Sequence, residues 1–255
     1  MLHECLVTMP HEDFVYLGDH ARLPYGPRPR REVERFAHEI GLYLEGLGVK
    51  MVVVACNTAT SVALPDLQEE LRVPVVSVIV PEAHAAVQAT RNRRIGLLAT
   101  ELTVASGRYE LLAHALDAGV QLTAVACPKL VPLIESGDTF SEDVVAAVRE
   151  YAAPLKEAGC DTVILGCTHY PLLRPVFQRT FGREVTLIFS ADETAREVAE
   201  TLQRKGFEND TDREGEYRFL TTGDPELFRT LGERFLQLPL GAVDPVAVSE
   251  LEAAA

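Results

Sequence analysis

Two cysteines occupy the same position in two similar segments of the sequence. Cys56 lies in VVVACNTATSV, residues 52–62, and Cys167 lies in TVILGCTHYPL, residues 162–172. In both segments β-branched residues lead through the cysteine into polar residues and then into a predicted helix. A cysteine just before a helix lies near free backbone N–H groups and the positive end of the helix dipole. Such an environment lowers the pKa of a thiol below about 8.5 and favours the reactive thiolate.

The same N–H groups can also bind the carboxylate of a substrate. A single cysteine in such a place is more often a small buried hydrophobic residue. Two cysteines in matching contexts, each followed by small hydrogen-bonding side chains, favour chemistry instead. These side chains are Asn57 and Thr58 after the first cysteine, and Thr168 and His169 after the second.

Three further features could take part in chemistry, and each has a simpler interpretation. His169 is a core histidine, a metal ligand or a group that manages protons. Zinc bound by this histidine and the two cysteines is a minor alternative, because the sequence lacks the paired spacing of zinc ligands. Tyr25 and Gly26, in the loop GDHARLPYG, offer a hydroxyl and an accessible backbone or simply form a turn. Glu135 is a solvent-facing carboxylate or, within a cleft, a general acid or base.

Apolar segments alternate with amphipathic ones along the chain, which predicts an α/β fold with mostly parallel sheets and right-handed crossovers. In such sheets ligands bind at the carboxyl ends of the strands, where both cysteines would lie. A duplicated α/β unit would place the cysteines opposite each other across a cleft. The predicted strands are Phe14–Leu17, Met51–Ala55, Val75–Ile79, Ile95–Ala99, Gln121–Ala126, Thr162–Leu165, Val185–Phe189 and Tyr217–Thr221. The predicted helices are Arg31–Gly46, Leu64–Leu71, Pro81–Thr90, Ala105–Ala115, Ser141–Glu157, Leu172–Phe181, Ala191–Arg204 and Pro225–Phe235.

Size and charge limit the class of protein. The chain has 255 residues and a formal net charge of −14, with the acidic residues spread along it. This charge repels phosphate backbones, so nucleic-acid binding is not expected. No apolar run approaches the roughly 20 residues of a membrane-spanning helix, and residues 1–13 lack the pattern of a secretory signal. Five cysteines without a paired spacing indicate reduced thiols, and we expect a cytoplasmic protein with no membrane partner.

Several segments together resemble the glutamate racemase family, within the cofactor-independent aspartate/glutamate racemase superfamily. These segments occur in the family's order and spacing. They are YLGDHARLPYGPR, VVVACNTATSVALPDL, GLLATELTVASGRYE, CPKLVPLIESG, LGCTHYPLLRPV and YRFLTTGDPELFRTLGERFL. The resemblance covers nearly the whole chain. It implies two similar doubly wound parallel-sheet domains that face each other across a cleft. Residues 1–79 and 189–255 would form the first domain, and residues 80–188 the second.

The resemblance also implies a reaction, the interconversion of L- and D-glutamate without cofactor or metal, which supplies D-glutamate for peptidoglycan. Cys56 would remove the α-proton of D-glutamate and Cys167 that of L-glutamate, while the opposite thiol delivers a proton to the other face. Inversion without a cofactor requires two such acid/base groups on opposite sides. His169 and Glu135 match family positions that assist proton transfer near Cys167. The family resemblance further implies a homodimer. The residues implied in substrate binding are Tyr25, Gly26, Asn57, Thr58, Thr168, His169 and Thr103.

The sequence departs from the family pattern at one point. The family normally opens with a strand ending in Asp-Ser-Gly-x-Gly-Gly, whose Asp partners the first cysteine and whose Ser contacts the substrate. The segment MLHECLVTMPHEDFVYLGD resembles the helix that follows this strand, and neither Asp13 nor Asp19 is in a context to replace the Asp. We therefore expect Cys56 to lack its carboxylate partner. We also expect an empty sheet position beside residues 51–55, and this truncation could impair turnover.

Two alternatives stay open. One is a relative that acts on aspartate or another small carboxylate, which a comparison of rates on both amino acids distinguishes. The other is a non-catalytic ligand-binding protein on the same scaffold, which would bind D-glutamate without exchanging its α-proton.

Overall fold

All 255 residues are described by a computed structural model, in which strands and helices alternate along the chain. The strands are β1 (Phe14–Gly18), β2 (Val52–Val54), β3 (Val75–Ser77), β4 (Arg94–Ala99), β5 (Gln121–Ala126), β6 (Thr162–Gly166), β7 (Thr186–Ile188), β8 (Tyr217–Thr221) and β9 (Val243–Pro245). The helices are α1 (Leu2–Thr8), α2 (Arg30–Gly46), α3 (Asn57–Glu70), α4 (Ile79–Ala89), α5 (Glu101–Ala105), α6 (Arg108–Leu116), α7 (Leu130–Glu135), α8 (Glu142–Glu157), α9 (Arg174–Phe181), α10 (Ser190–Lys205), α11 (Pro225–Leu236) and α12 (Val248–Ala254). Short 3₁₀ helices cover His20–Arg22 and Tyr170–Leu173.

The strands form three sheets, and every strand pair is parallel. The strand orders are β5-β4-β6-β7, β1-β8-β9 and β2-β3, and no ladder joins β1 to β2. The predicted α/β class with parallel sheets is confirmed. The four-stranded sheet lies entirely between residues 94 and 188, and the other strands lie outside that range. The division of the chain into domains stays a prediction.

The four-stranded sheet is covered on both faces, as expected for parallel strands that follow each other through helices. Its central strands, RIGLLA in β4 and TVILG in β6, are almost continuously apolar and buried apart from Arg94. Helix α8 packs closely on β4 at Gly96, where a Cβ atom would lie 2.7 Å from the Leu155 side chain. The same helix begins at the predicted N-cap, because the Ser141 hydroxyl accepts a hydrogen bond from the Val144 N–H. No helix combines the length and apolar character that crossing a membrane requires.

Some predicted elements differ from those in the structure. Helix α3 begins seven residues earlier than predicted, directly after Cys56, since Asn57 to Ala63 are helical. The helix predicted over residues 105–115 is divided into α5 and α6 at Gly107, whose φ of 63° cannot continue an α-helix. The strand predicted to end at Ile79 ends at Ser77, and Ile79 begins α4. Short elements with weak periodicity, namely β9, α7 and α12, were not predicted.

Asp161, just before β6, connects this strand to the loop that follows α4. Its carboxylate accepts hydrogen bonds from the Thr90 hydroxyl at 2.6 Å and from the N–H groups of Arg91 and Asn92 at 2.7 and 2.9 Å. Replacement of Asp161 by alanine leaves these donors without their partner, so we expect a loss of about 2–3 kcal/mol in the free energy of unfolding. Urea unfolding measures this loss. Glu150→Ala, which removes only an exposed ion pair with Lys129, should change the same quantity by less than about 0.5 kcal/mol. Equal effects of the two variants would contradict the role assigned to Asp161.

Candidate active site

Two strands from different sheets bring the two cysteines to one cleft. Cys56 follows the carboxyl end of β2, and Cys167 follows the carboxyl end of β6. Both line the same cavity of about 1480 Å³. Negative charge on Cys167 is one of the factors that raise the pKa of Cys56, so the two thiols are close enough to interact electrostatically. A molecule in this cleft can therefore contact both thiols.

Cys56 is the residue immediately before the first turn of α3. The backbone N–H groups of Ala59 and Thr58 and the Thr58 hydroxyl lie near Cys56 and act to lower its pKa. Burial has a larger effect in the opposite direction, and the net result is a raised pKa. The sequence-based expectation of a lowered pKa is therefore wrong for Cys56. The reason is that the thiolate loses more hydration on burial than these donors replace.

Cys167 belongs to a chain of three titratable side chains. Its Sγ atom lies 3.7 Å from Nδ1 of His169, and Nε2 of the same imidazole lies 2.5 Å from Oε1 of Glu135. Burial lowers the pKa of His169, but hydrogen bonds to Cys167 and Glu135 outweigh burial and raise this pKa to about 10. The hydrogen bond from His169 in turn lowers the pKa of Glu135. The imidazole is thus held as a cation that donates one N–H to the sulfur and the other to the carboxylate.

The two cysteine junctions differ in local structure, although their sequences are similar. After Cys56 the chain enters the α-helix α3 at once. After Cys167 it enters the 3₁₀ turn Tyr170–Leu173, and α9 begins only at Arg174. Pro171 contributes to this difference, because it has no N–H group to donate. The argument from the helix dipole therefore applies to Cys56, whereas the environment of Cys167 is set by His169.

A row of threonine hydroxyls lies beside Cys56. The Thr58 hydroxyl is 2.9 Å from that of Thr100, which is 2.9 Å from that of Thr103. Thr58 and Thr100 line the cavity, but Thr103 does not and is only 1 % exposed. The structure thus places Thr103 behind Thr100 rather than at the cavity wall. Sequence reasoning missed Thr100, which could have been found as the first residue after the carboxyl end of β4.

The loop after β1 contributes Tyr25 and Gly26 to the cavity wall. The Tyr25 hydroxyl donates a hydrogen bond to Asp19, which also accepts from Arg22 Nε at 2.7 Å and from the Thr222 hydroxyl at 2.8 Å. A Cβ atom at Gly26 would lie 3.1 Å from Cβ of Thr100, so glycine lets the loop approach that residue closely.

The remaining predicted site residues are also in the cavity wall. Asn57, Thr168, His169 and Glu135 all line it, and Thr103 is the one predicted residue that does not. Asp19 lies in the wall as well and is engaged by the partners named above. Asp13 also lines the cavity and pairs with Arg213 at 2.7 Å.

The three other cysteines have no part in the proposed chemistry. Cys5, Cys127 and Cys160 are buried in hydrophobic clusters, as Cys167 is, and Cys5 and Cys127 also line the cavity. Burial raises the pKa of Cys5 to about 11 and that of Cys127 to about 12, which keeps these thiols protonated. No three His, Cys, Asp or Glu side chains are grouped so that they could hold a metal ion.

A family model described as Asp/Glu/Hydantoin racemase matches residues 3–198. The chain is 43 % identical over 250 residues to a glutamate racemase of Listeria monocytogenes serotype 4a, covering 98 % of this chain and 94 % of the relative.

Solved structures give the same result. The crystal structure of a glutamate racemase from Bacillus anthracis superposes with a TM-score of 0.92 at 40 % identity, covering 97 % of this chain and 92 % of that one. A glutamate racemase from Francisella tularensis in complex with D-glutamate gives a TM-score of 0.91 at 29 % identity, covering 99 % of this chain and 93 % of that one.

Proposed function

Because the chain belongs to the Asp/Glu/hydantoin racemase family, we propose that it interconverts L- and D-glutamate. The resemblance seen in the sequence segments is confirmed by this membership. The relatives and solved structures that match over nearly the full length are glutamate racemases. The product D-glutamate would serve peptidoglycan synthesis, which is the role that the family resemblance implies.

The observation that carries the mechanism is the pair of thiols on a single cleft, Cys56 after β2 and Cys167 after β6. One thiolate removes the α-proton from one face of glutamate and becomes a thiol. The electron pair left on Cα is delocalised into the α-carboxylate, and the opposite thiol donates its proton to the other face. Each turnover thus exchanges the protonation states of the two sulfurs, and no redox step occurs. Cys167 would take the proton from L-glutamate and Cys56 from D-glutamate.

Different groups stabilise the thiolate form of each cysteine. On one side, N–H groups of Ala59 and Thr58 stabilise negative charge on Cys56. On the other, the His169 imidazolium donates to Cys167 and is held in place by Glu135. An imidazolium beside a sulfur stabilises the thiolate and can return a proton to it. His169 and Glu135 therefore act in the proton transfer at Cys167.

The polar groups of the cavity wall would hold the amino acid between the thiols. We assign Asn57, Thr58 and Thr168 to its charged α-substituents, because these residues flank the two cysteines. Tyr25 and Gly26 would contact it from the loop after β1. Thr103 would act on the substrate only through Thr100, with which it shares a hydrogen bond.

The need for free catalytic thiols favours a particular cellular compartment. All five cysteines are free, and catalytic thiols persist in a reducing compartment. We assign the protein to the cytoplasm. We also propose that it is a homodimer. In each chain, residues 1–79 and 189–255 would form the first domain. Residues 80–188 would form the second domain. Sedimentation equilibrium tests the dimer.

The proposed reaction is tested by incubating the protein with each enantiomer of glutamate in heavy water. We expect deuterium at Cα of both enantiomers, together with decay of optical rotation to zero from either starting material. Equal rates on aspartate would indicate a relative with a different substrate. Binding of D-glutamate without deuterium incorporation would indicate a non-catalytic binding protein, and in that case the proposal is wrong.

A further inference from the structure

A carboxylic acid is buried behind the candidate active site. Glu82, in the first turn of α4, has no exposed surface, and Tyr109 of α6 beside it is 1 % exposed. Neither residue lines the cleft, and neither has a part in the mechanism described above. An acid in the interior requires a reason, because burying a polar group costs free energy unless it is hydrogen-bonded.

Both residues contact Asn57, the residue that follows Cys56. The Asn57 amide nitrogen Nδ2 donates to Oε2 of Glu82 at 2.9 Å and to the Tyr109 hydroxyl at 2.8 Å. The Tyr109 hydroxyl in turn donates to the same Glu82 oxygen. The three polar groups therefore form a closed triangle on the side of Asn57 that faces away from the cleft.

This triangle fixes the orientation of the Asn57 amide, because both acceptors approach its nitrogen Nδ2 from the same side. An asparagine side chain has two N–H donors and one oxygen acceptor. Here the oxygen Oδ1 is buried and has no partner within the protein, while Asn57 itself is part of the cleft wall. The amide nitrogen is thus held on the interior side, and the amide oxygen is left without a partner.

The same pair lies close to the second cysteine. A Cβ atom at Gly166, the residue before Cys167, would be 3.3 Å from the Tyr109 hydroxyl oxygen. Negative charge on Cys167 raises the pKa of Tyr109, which also places the two groups near each other. Tyr109 thus lies against both junctions that carry the thiols, after β2 and after β6.

We propose that Glu82 and Tyr109 are positioning residues of the active site, which hold the amide nitrogen of Asn57 and so leave its amide oxygen for the substrate. This inference rests on the proposed function, since the substrate is an amino acid. Its ammonium group is the donor that an amide oxygen would accept. Without the pair the Asn57 amide can rotate and present its N–H groups, which would repel the ammonium.

The protonation of Glu82 is consistent with a positioning role. Burial raises its pKa, and hydrogen bonds from Tyr109 and Asn57, together with the nearby Ser190, offset only part of this, leaving a value of about 8. The polar groups that face it are therefore Asn57 of α3, Tyr109 of α6 and Ser190 of α10, and no charged group contributes to the shift. At neutral pH the side chain is a neutral acid, so glutamine is its close analogue.

Substitution of Glu82 tests the proposal through substrate affinity. We expect Glu82→Leu to raise KM for both enantiomers roughly tenfold with a smaller change in kcat. Glu82→Gln should restore KM to within about twofold of the wild type, because an amide can accept from Asn57 in the same place. Tyr109→Phe should raise KM about threefold. Tyr151→Phe is the matched control, since this buried tyrosine bonds only the Lys129 N–H at 3.3 Å, and its KM should be unchanged.

A double-mutant cycle separates positioning from a general structural effect. In an Asn57→Ala background the Glu82→Leu and Tyr109→Phe substitutions should have no further effect on KM, because both act through the Asn57 amide. The same rise in both backgrounds would overturn the proposal. So would an unchanged KM in a folded Glu82→Leu variant. If Glu82→Leu does not fold, the Tyr109→Phe cycle gives the same decision.

Calorimetric titration with glutamate keeps this test distinct from the test of the reaction. A wild type that binds glutamate but does not racemise it overturns the proposed function, and the cycle is then measured on the dissociation constant instead of KM. A wild type that does not bind glutamate overturns both proposals.

Discussion

Replacing Cys56 or Cys167 by serine will lower the rate of glutamate racemisation by roughly 10³-fold in both directions. Each variant loses one of the two groups that exchange a proton with Cα, and a serine hydroxyl is far too weak an acid and base to replace a thiol. The value of kcat/KM must fall by the same factor in both directions, because the two enantiomers have the same free energy and the equilibrium constant is fixed. Polarimetry from each enantiomer measures this loss.

The two variants will differ in deuterium exchange without inversion. Cys56→Ser retains Cys167 and should still exchange the α-proton of L-glutamate with heavy water, whereas Cys167→Ser should exchange only that of D-glutamate. The control is Cys160→Ala, which removes a buried thiol before β6 instead of the one after it. This variant should keep the wild-type rate. A single active-site variant with normal turnover would contradict the mechanism with two thiols.

Substitution of His169 by glutamine will lower the racemisation rate by about 10²-fold. The imidazolium that donates to Cys167 is lost, so proton transfer at this sulfur becomes the slow step. We therefore expect a larger primary isotope effect with α-deuterated L-glutamate than with the α-deuterated D-enantiomer. Equal isotope effects from the two enantiomers would show that His169 does not serve Cys167.

Glu135→Gln tests the electrostatic part of this arrangement. In the wild type the pKa of His169 is about 10, so the imidazole keeps its positive charge at neutral pH. Removing the carboxylate removes one of the two groups that offset burial, and the pKa should fall toward the ordinary value of about 6.5. The rate of the variant should then decrease as pH rises from about 7 to 10, where the wild type changes little. An NMR titration of the histidine ring measures the pKa directly. Glu150→Gln, at an exposed carboxylate paired with Lys129, is the control and should leave the titration unchanged.

Much of the fold is determined by local patterns in the sequence. The strands β5 and β8 have the predicted bounds, and the N-cap at Ser141 is as expected, because continuous apolar runs and capping side chains act within a few residues. The start of α3 was predicted too late, since the polar residues Asn57 and Thr58 interrupt the periodicity that marks a helix. In the structure these residues are helical and almost fully buried at the wall of the cavity.

The sequence by itself determined which residues could do the chemistry: two cysteines at matching positions, with the hydrogen-bonding residues that follow them. Type and spacing suffice for this, because the carboxyl end of a parallel strand is a local feature. Only the tertiary structure decided the environment of each residue. Burial reversed the expected pKa shift of Cys56, and the contact with Glu135 gave His169 its charge. Thr103 lies behind Thr100 in the folded chain, and Glu82 contacts Asn57 although the two are 25 residues apart in sequence. Desolvation and long-range hydrogen bonds depend on neighbours that are distant along the chain, and no local pattern contains them.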